Sequence, residues 1–151
     1  MFELAQFYSY CRQNDVDIIP YAGIPAPGAT LRDGEHYAVF LDFTQIRTTR
    51  QFRGVCAHEL SHLSTGALHR PASPYDLAAR NEYRANRHFA QQYLSVKELR
   101  EAFRLGFREL WELAEYFDLP EQDIEKALQY WTVSRNIDFH AIDNGQLTMD
   151  N

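Results

Sequence analysis

The chain has 151 residues, of which 45% are hydrophobic and 24% charged, and its net charge is −6. This balance predicts one globular domain and excludes collagen-like, low-complexity and disordered chains. The negative charge argues against general binding to nucleic-acid phosphates, and two cysteines, Cys11 and Cys56, are too few for a disulfide framework. We find no signal peptide and no apolar run of the roughly 20 residues that span a bilayer, so we expect a cytoplasmic protein with no membrane partner.

The first third of the chain predicts a helix followed by strands. Apolar residues recur at helical spacing from Phe2 to Cys11, and a β-branched run follows before Pro20. The pair Asp33-Gly34 lies between two strand-like runs and suits a tight hairpin turn. The predicted elements are a helix at 2–13 and strands at 16–19, 29–32 and 36–42. The last strand is either internal to the sheet or an open edge that receives substrate as an added strand.

The rest of the chain predicts helices separated by short turns. Thr48 or Thr49 can cap a helix that Gly66 ends, and the loop 67–74 that follows holds two prolines. Further helices are predicted at 75–94, 96–107, 109–117 and 121–131. The order of elements indicates an α+β fold, with a mostly helical domain over 1–137 and a small antiparallel sheet. Within it, 107–131 forms a C-terminal helical pair, and 138–151 is a polar tail.

The motif that indicates chemistry lies in the helix that Gly66 ends. His58-Glu59-Leu60-Ser61-His62 fits the pattern H-E-x-x-H. Residues four apart lie on one face of a helix, so both imidazoles can reach one ion. The glutamate beside them can take a proton from a water molecule that zinc activates.

The surroundings of the two histidines favour a metal site. A helical wheel places them at the edge of an apolar arc, and their immediate neighbours are small enough to leave room for an ion and a substrate. The arc consists of Phe52, Val55, Leu60 and Leu63, and the small neighbours are Gly54, Ser61 and Thr65. The alternative is a pair of structural histidines on the shoulder of a helix.

A catalytic zinc needs a third protein ligand, for which the sequence offers two candidates. His69 and Gly66 each stand one place too late for the metzincin pattern, so His69 is the weaker candidate. Glu82 is the acid on the apolar face of the helix 75–94, where an unpaired carboxylate is costly. Two histidines and a glutamate from a following helix form the ligand set of thermolysin-type zinc peptidases. A buried salt bridge to an arginine is the alternative role for Glu82.

Three stretches of the chain resemble the ImmA/IrrE family of metallopeptidases, above all its ImmA-like branch from prophages and mobile elements. They are CAHELSHLSTGALH, SPYDLAARNEYRANRHFAQQYLSVKEL and ELWELAEYFDLPEQDIEKALQYW. The likeness covers roughly residues 2–131, and the family pattern E-x-x-A-N/D falls on Glu82, Ala85 and Asn86. The resemblance implies a zincin-like fold, Glu82 as third ligand, and cleavage of a helix-turn-helix repressor encoded nearby. The chain departs from the family pattern at Ser61, His88, Phe89 and Ser95, which bears on substrate specificity more than on catalysis.

The mechanism that follows is hydrolysis of a peptide bond by a zinc endopeptidase. Zn²⁺ is expected on His58, His62 and Glu82, although the ligand set also tolerates Mn²⁺. Glu59 is the expected general base, which passes the proton to the leaving amine. The sequence does not identify the group that stabilises the oxyanion. The candidates are Tyr75, Tyr83, His69 and His88, each with a structural alternative.

Two further expectations concern groups around the metal. A carboxylate or a backbone carbonyl should hold the second nitrogen of each histidine. Asp76 is one candidate, although capping of its own helix is the favoured role. Cys56 lies about 200° round the helix from His58 and should face the core.

The C-terminal helices resemble a helix-turn-helix joined at Leu119-Pro120, which raises DNA binding as a further hypothesis. The second helix is mostly acidic where a recognition helix needs basic phosphate contacts, so direct nucleic-acid binding is disfavoured. Packing on the core and docking of a protein partner remain equally open. Packing would use Leu113, Phe117, Ile124 and Leu128, whereas docking would use an exposed patch of Trp111, Tyr116, Tyr130 and Trp131.

Two functions are therefore carried forward. The first is a zinc endopeptidase that cleaves a specific protein, namely a helix-turn-helix repressor. The alternative is a catalytically weak zincin-fold anti-repressor or scaffold that acts by protein binding.

Overall fold

The structure is a computed structural model that describes residues 1–68 and 75–140, and only the backbone of Tyr75 and Asp76. The described residues form six α-helices and one three-stranded sheet. The helices are α1 (Leu4–Gln13), α2 (Thr49–Thr65), α3 (Tyr75–Tyr93), α4 (Val96–Arg104), α5 (Leu110–Phe117) and α6 (Glu121–Gln129), and α6 continues into a π-helical turn, Tyr130–Ser134. The strands are β1 (Asp17–Pro20), β2 (Gly28–Asp33) and β3 (His36–Leu41). The α+β prediction is confirmed.

The sheet is mixed, so the expectation of an antiparallel sheet is wrong for β1. The strand order is β1-β3-β2, with β1 parallel and β2 antiparallel to β3. Pro20 of β1 and Gly28 of β2 both pair with Leu41, one on each side of β3. The loop 21–27 therefore crosses the end of β3, which is the central strand. Alternation of apolar residues predicts strands but not this crossing, because it carries no information on strand order.

The position of β3 decides between the two alternatives for that strand, because it is internal to the sheet and not an open edge. β3 is the central strand, with Val39 and Leu41 buried in the core. The edge strand next to α2 is β2, and the two pack closely at Gly28.

Helix α2 has the limits that its sequence predicts. The Thr48 hydroxyl accepts a hydrogen bond from the backbone N–H of Gln51 at 3.1 Å. Gly66 ends the helix in the left-handed conformation, with φ of +63°. The buried apolar residues of α2 are Cys56, Ala57, Leu60 and Leu63. Phe52 and Val55 are only half-buried, so the predicted apolar arc is rotated toward Cys56, whose burial is confirmed.

The C-terminal helices pack into the same core. Leu113, Phe117 and Ile124 are fully buried, whereas Trp111 is 57% exposed. Tyr130, a candidate for the exposed patch, is buried. Phe139, which the sequence assigns to the polar tail, packs edge-on against Phe103. Residues 141–151 of that tail lie outside the described residues.

Among the described residues, no helix combines the length and the apolar character needed to cross a bilayer.

Candidate metal centre

The two histidines of the motif meet on one face of α2. His58 and His62 are separated by one helical turn, and their ring centroids lie 4.6 Å apart. Their Nε2 atoms are 3.0 Å apart. His62 is buried, whereas His58 is partly exposed. Both rings therefore direct the same nitrogen to one point at the edge of the core.

Helix α3 brings Glu82 to the same point. Glu82 Oε1 lies 3.1 Å from His62 Nε2, and Glu82 Oε2 lies 3.5 Å from His58 Nε2. These three residues form the group in the described chain whose donor atoms fit one metal ion, all within 4.8 Å of one another. The structure thus places Glu82 beside the histidines, where its predicted role as third ligand requires it.

The spacing of these donor atoms suits zinc. A tetrahedral zinc ion with ligands at 2.0–2.1 Å holds any two ligand atoms about 3.3 Å apart. The two Nε2 atoms are 3.0 Å apart, and each lies near a different oxygen of Glu82, at 3.1 Å (Oε1 to His62) and 3.5 Å (Oε2 to His58), all close to this value. The residues therefore fit a zinc ion in both donor type and spacing.

The second nitrogen of His62 contacts a backbone carbonyl, as expected for a metal ligand. His62 Nδ1 lies 2.6 Å from the carbonyl oxygen of Ala67, so Nδ1–H donates and leaves the Nε2 lone pair for a metal. The turn at Gly66 carries Ala67 back to the ring. Asn81, next to Glu82 on α3, is buried and donates to the Leu68 carbonyl at 2.6 Å. The same short segment thus links both ligand helices.

The carboxylates around His62 favour a positive charge at this point. Burial by itself lowers the pKa of His62, but the hydrogen bond with Glu82 and the charge of Glu59 raise it on balance. A group of charges that holds a proton on the ring also attracts a cation.

Glu59 lies beside the ligands, buried and oriented by β2. Its Oε2 accepts a hydrogen bond of 2.6 Å from the hydroxyl of Thr30. Burial raises the pKa of Glu59, an effect that the bond from Thr30 partly offsets. A Cβ atom on Gly28 would lie 3.1 Å from Glu59 Oε1 and 2.6 Å from Val55 Cγ1. Only glycine therefore permits β2 to approach α2 so closely.

A cavity of about 610 Å³ opens over these residues. His58, Glu59, His62 and Glu82 line it together with residues 25–31, which belong to β2 and the loop before it. Helix α6 also contributes to the lining through Gln122, Asp123 and Lys126. The candidate ligands and the candidate base therefore face a space large enough for several residues of a peptide.

A hydrogen-bonded network holds the loop wall of the cavity in place. Asp42 is buried and accepts bonds from the backbone N–H groups of Gly23 and Thr44 and from the Gln45 amide. The bonds from Thr44 and Gln45 hold the pKa of Asp42 far below its usual value. Gln45 also donates to the Ile24 carbonyl at 2.8 Å. Asp42 therefore fixes the loop 21–27.

The other candidates from the sequence have different outcomes. His69, and the side chains of Tyr75 and Asp76, lie outside the described residues. Tyr83 is 51% exposed and packs against Tyr130, and the Nδ1 atom of His88 lies 3.2 Å from Ser61 Oγ. Neither of these two is among the described residues that line the cavity.

Three residues of the site are missing from the sequence predictions: Gly28, Thr30 and Asp123. Thr30 lies in the predicted strand 29–32, where alternation is its only local signal, and Gly28 lies just before that strand. Asp123 lies in the first turn of a predicted helix, where acidic residues are common for electrostatic reasons alone. Each acquires its place only through contact with α2, which is distant in sequence.

Comparison with family models, curated proteins and solved structures gives no match to this chain.

Proposed function

We propose that this protein is a zinc-dependent endopeptidase with a zincin-like fold. The observation that carries the proposal is the meeting of His58, His62 and Glu82 within 4.8 Å, with Glu59 beside them in a common cavity. Two histidines and one glutamate form a catalytic zinc set that leaves one position for water or substrate. Two imidazole ligands favour Zn²⁺ over Mn²⁺.

The metal would supply polarisation of the scissile carbonyl and acidification of a water molecule. The protein group that would transfer the proton is the carboxylate of Glu59. Thr30 holds Oε2, so Oε1 is the oxygen that accepts a proton and later returns it to the leaving amine. Burial of this carboxylate keeps bulk water from competing for the proton.

An extended peptide suits the shape of the cavity. β2 is an edge strand of the described sheet, and its residues Gly28–Leu31 line the cavity beside Glu59. A substrate that adds to this edge would run past the candidate metal ligands with its backbone hydrogen-bonded to β2. This arrangement favours cleavage within a chain over cleavage at its end.

The resemblance to the ImmA/IrrE family suggests the kind of protein that is cut. It points to a cytoplasmic helix-turn-helix repressor of a phage or mobile element, whose cleavage relieves repression. The C-terminal helices of this chain, which resemble a helix-turn-helix themselves, are proposed to serve the peptidase and not to read DNA. Ile124 and Ala127 of α6 are buried in the core, and Gln122 and Asp123 face the cavity.

The decisive experiment is substitution of the base. Zinc per chain and cleavage of a neighbouring helix-turn-helix repressor are measured for the wild-type protein and for Glu59→Gln, both purified without chelators. We expect about one zinc per chain in both. Cleavage should fall by about 10²–10⁴-fold in Glu59→Gln, because the general base is lost while the ligands remain.

Two variants control this experiment. Glu82→Ala should lose most of its zinc, and Glu115→Gln, which changes an exposed acid on α5, should match the wild type. A Glu59→Gln protein that still inactivates the repressor would refute the peptidase and establish the alternative, an anti-repressor that acts by binding.

A further inference from the structure

Asp123 lies in the wall of the cavity and contacts α2. It belongs to the first turn of α6 and is half-buried. A Cβ atom on Gly54 would lie 2.6 Å from Asp123 Oδ2 and 2.7 Å from Pro120. The carboxylate therefore lies against the backbone of α2 at Gly54, and both residues line the cavity.

The carboxylate of Asp123 has no hydrogen bond and no ion pair with any of the described residues. Lys126, one turn further along α6, is exposed and lowers the pKa of Asp123 only by its charge. Burial outweighs this effect and raises that pKa to about 6. A half-buried carboxylate without such partners costs free energy that a cationic ligand would recover.

The contact of Asp123 with α2 at Gly54 sets the distance between Asp123 and the candidate metal ligands. Gly54 precedes His58 by four residues, which is about 6 Å along a helix axis. An extended peptide advances about 3.3 Å per residue. For a substrate chain that runs along α2, a side chain that reaches Asp123 therefore belongs to a residue about two positions from the bond that is cut.

We propose that Asp123 is a specificity-determining residue that binds a lysine or arginine side chain of the substrate, about two residues from the scissile bond. The proposal rests on the peptidase function proposed above. A guanidinium or ammonium group would complete the hydrogen bonds that the carboxylate lacks, and arginine would do so with two parallel bonds. Asp123 would thus determine which substrates bind, without contact with the metal ligands or with Glu59.

A peptide library tests this proposal without knowledge of the natural substrate. The zinc-loaded wild type, Asp123→Asn and Glu121→Gln are each incubated with a proteome-derived mixture of peptides that retain internal lysine and arginine. Cleavage sites are read by mass spectrometry. Glu121→Gln is the matched control, because it removes one negative charge from the same helical turn at an exposed position.

We expect lysine and arginine to be enriched at one position within three residues of the cut bond for the wild type and for Glu121→Gln. Asp123→Asn should lose this enrichment. For a peptide from that set, replacing the basic residue by norleucine should lower kcat/KM by about 10–100-fold in the wild type and little in Asp123→Asn.

The possible failures are distinguishable. Cleavage without a basic preference in the wild type, or an equal preference in all three proteins, overturns the role of Asp123 and leaves the peptidase intact. The wild-type profile alone decides this point if Asp123→Asn does not fold. Absence of cleavage by the zinc-loaded wild type, on the library and on the repressor alike, overturns the peptidase and this inference with it.

Discussion

At the scale of single residues, the contact between Thr30 and Glu59 does most to define the candidate base. A carboxylate buried to 3% exposure has few ways to hold its orientation. The bond of 2.6 Å from Thr30 fixes one oxygen and leaves the other for the proton transfer proposed for Glu59. In the proposed mechanism Thr30 is therefore a positioning residue, which acts through Glu59.

Thr30→Val should lower kcat by about 10-fold, a fraction of the 10²–10⁴-fold that a positioned general base contributes. Valine keeps the shape of the side chain but removes the donor, so Glu59 loses its fixed orientation. Steady-state kinetics and zinc content are the measurements, and zinc content should not change. Thr30→Ser, which keeps the hydroxyl, should retain most of the activity. Equal kcat for the wild type and Thr30→Val would show that Thr30 does not position the base.

Sequence alone predicts the part of the site that lies on one helix. The positions of His58, Glu59 and His62 follow from helical periodicity, and the inward face of Glu82 follows from the apolar stripe of α3. Thr30 could not be predicted, because its bond to Glu59 crosses 29 positions of the chain. Tertiary packing determines which strand contacts a given helix, and local sequence propensity does not predict it.

At the scale of elements, α2 is the platform on which the site is assembled. α3 supplies Glu82, β2 approaches at Gly28, and α6 approaches at Gly54. Both glycines lie where a side chain would separate the neighbouring elements. The small residues that the helical wheel assigns to the surroundings of the metal therefore serve a second purpose at Gly54, namely close packing of α6.

Gly54→Ala should reduce the free energy of unfolding by about 1–3 kcal/mol, because the new methyl group overlaps Pro120 and Asp123. A decrease in this free energy is informative, because alanine is otherwise favoured over glycine inside a helix by roughly 1 kcal/mol. Urea unfolding of the metal-free protein measures the change. Ser64→Ala, at an exposed position of α2, is the control and should be neutral or slightly stabilising. Stabilisation by Gly54→Ala would mean that α6 does not pack on α2 at this point.

The elements themselves were predictable where their signals are local. Thr48 and Gly66 mark both ends of α2, and the turn at Gly34 joins β2 and β3. The order of the strands was not predictable, because the loop 21–27 determines it by crossing the end of β3. The predicted helix 96–107 is shorter in the structure, since α4 ends at Arg104 and the chain turns at Gly106, whose φ is +98°.

At the scale of the whole molecule, the site reduces the stability of the fold. Ionised Asp123 is held against α2 without a hydrogen bond from the described residues, and its pKa is raised from 3.8 to about 6. A carboxyl group whose pKa is higher in the folded state binds its proton more tightly there than in the unfolded chain. Its favourable contribution is complete below about pH 3.8 and is lost as the pH rises through about 6.

Asp123→Asn should therefore raise the free energy of unfolding at pH 7.5 by about 1–2 kcal/mol, and the gain should disappear near pH 4. The full shift corresponds to an upper limit of about 3 kcal/mol, which partial exposure and the charge of Lys126 reduce. Urea unfolding of the metal-free proteins at pH 4, 5.5 and 7.5 measures the difference, with Glu121→Gln as control. A variant less stable than the wild type at every pH would mean that Asp123 stabilises the start of α6. A gain confined to high pH would instead show that the fold accepts a cost at this position, as expected of a residue retained to bind substrate.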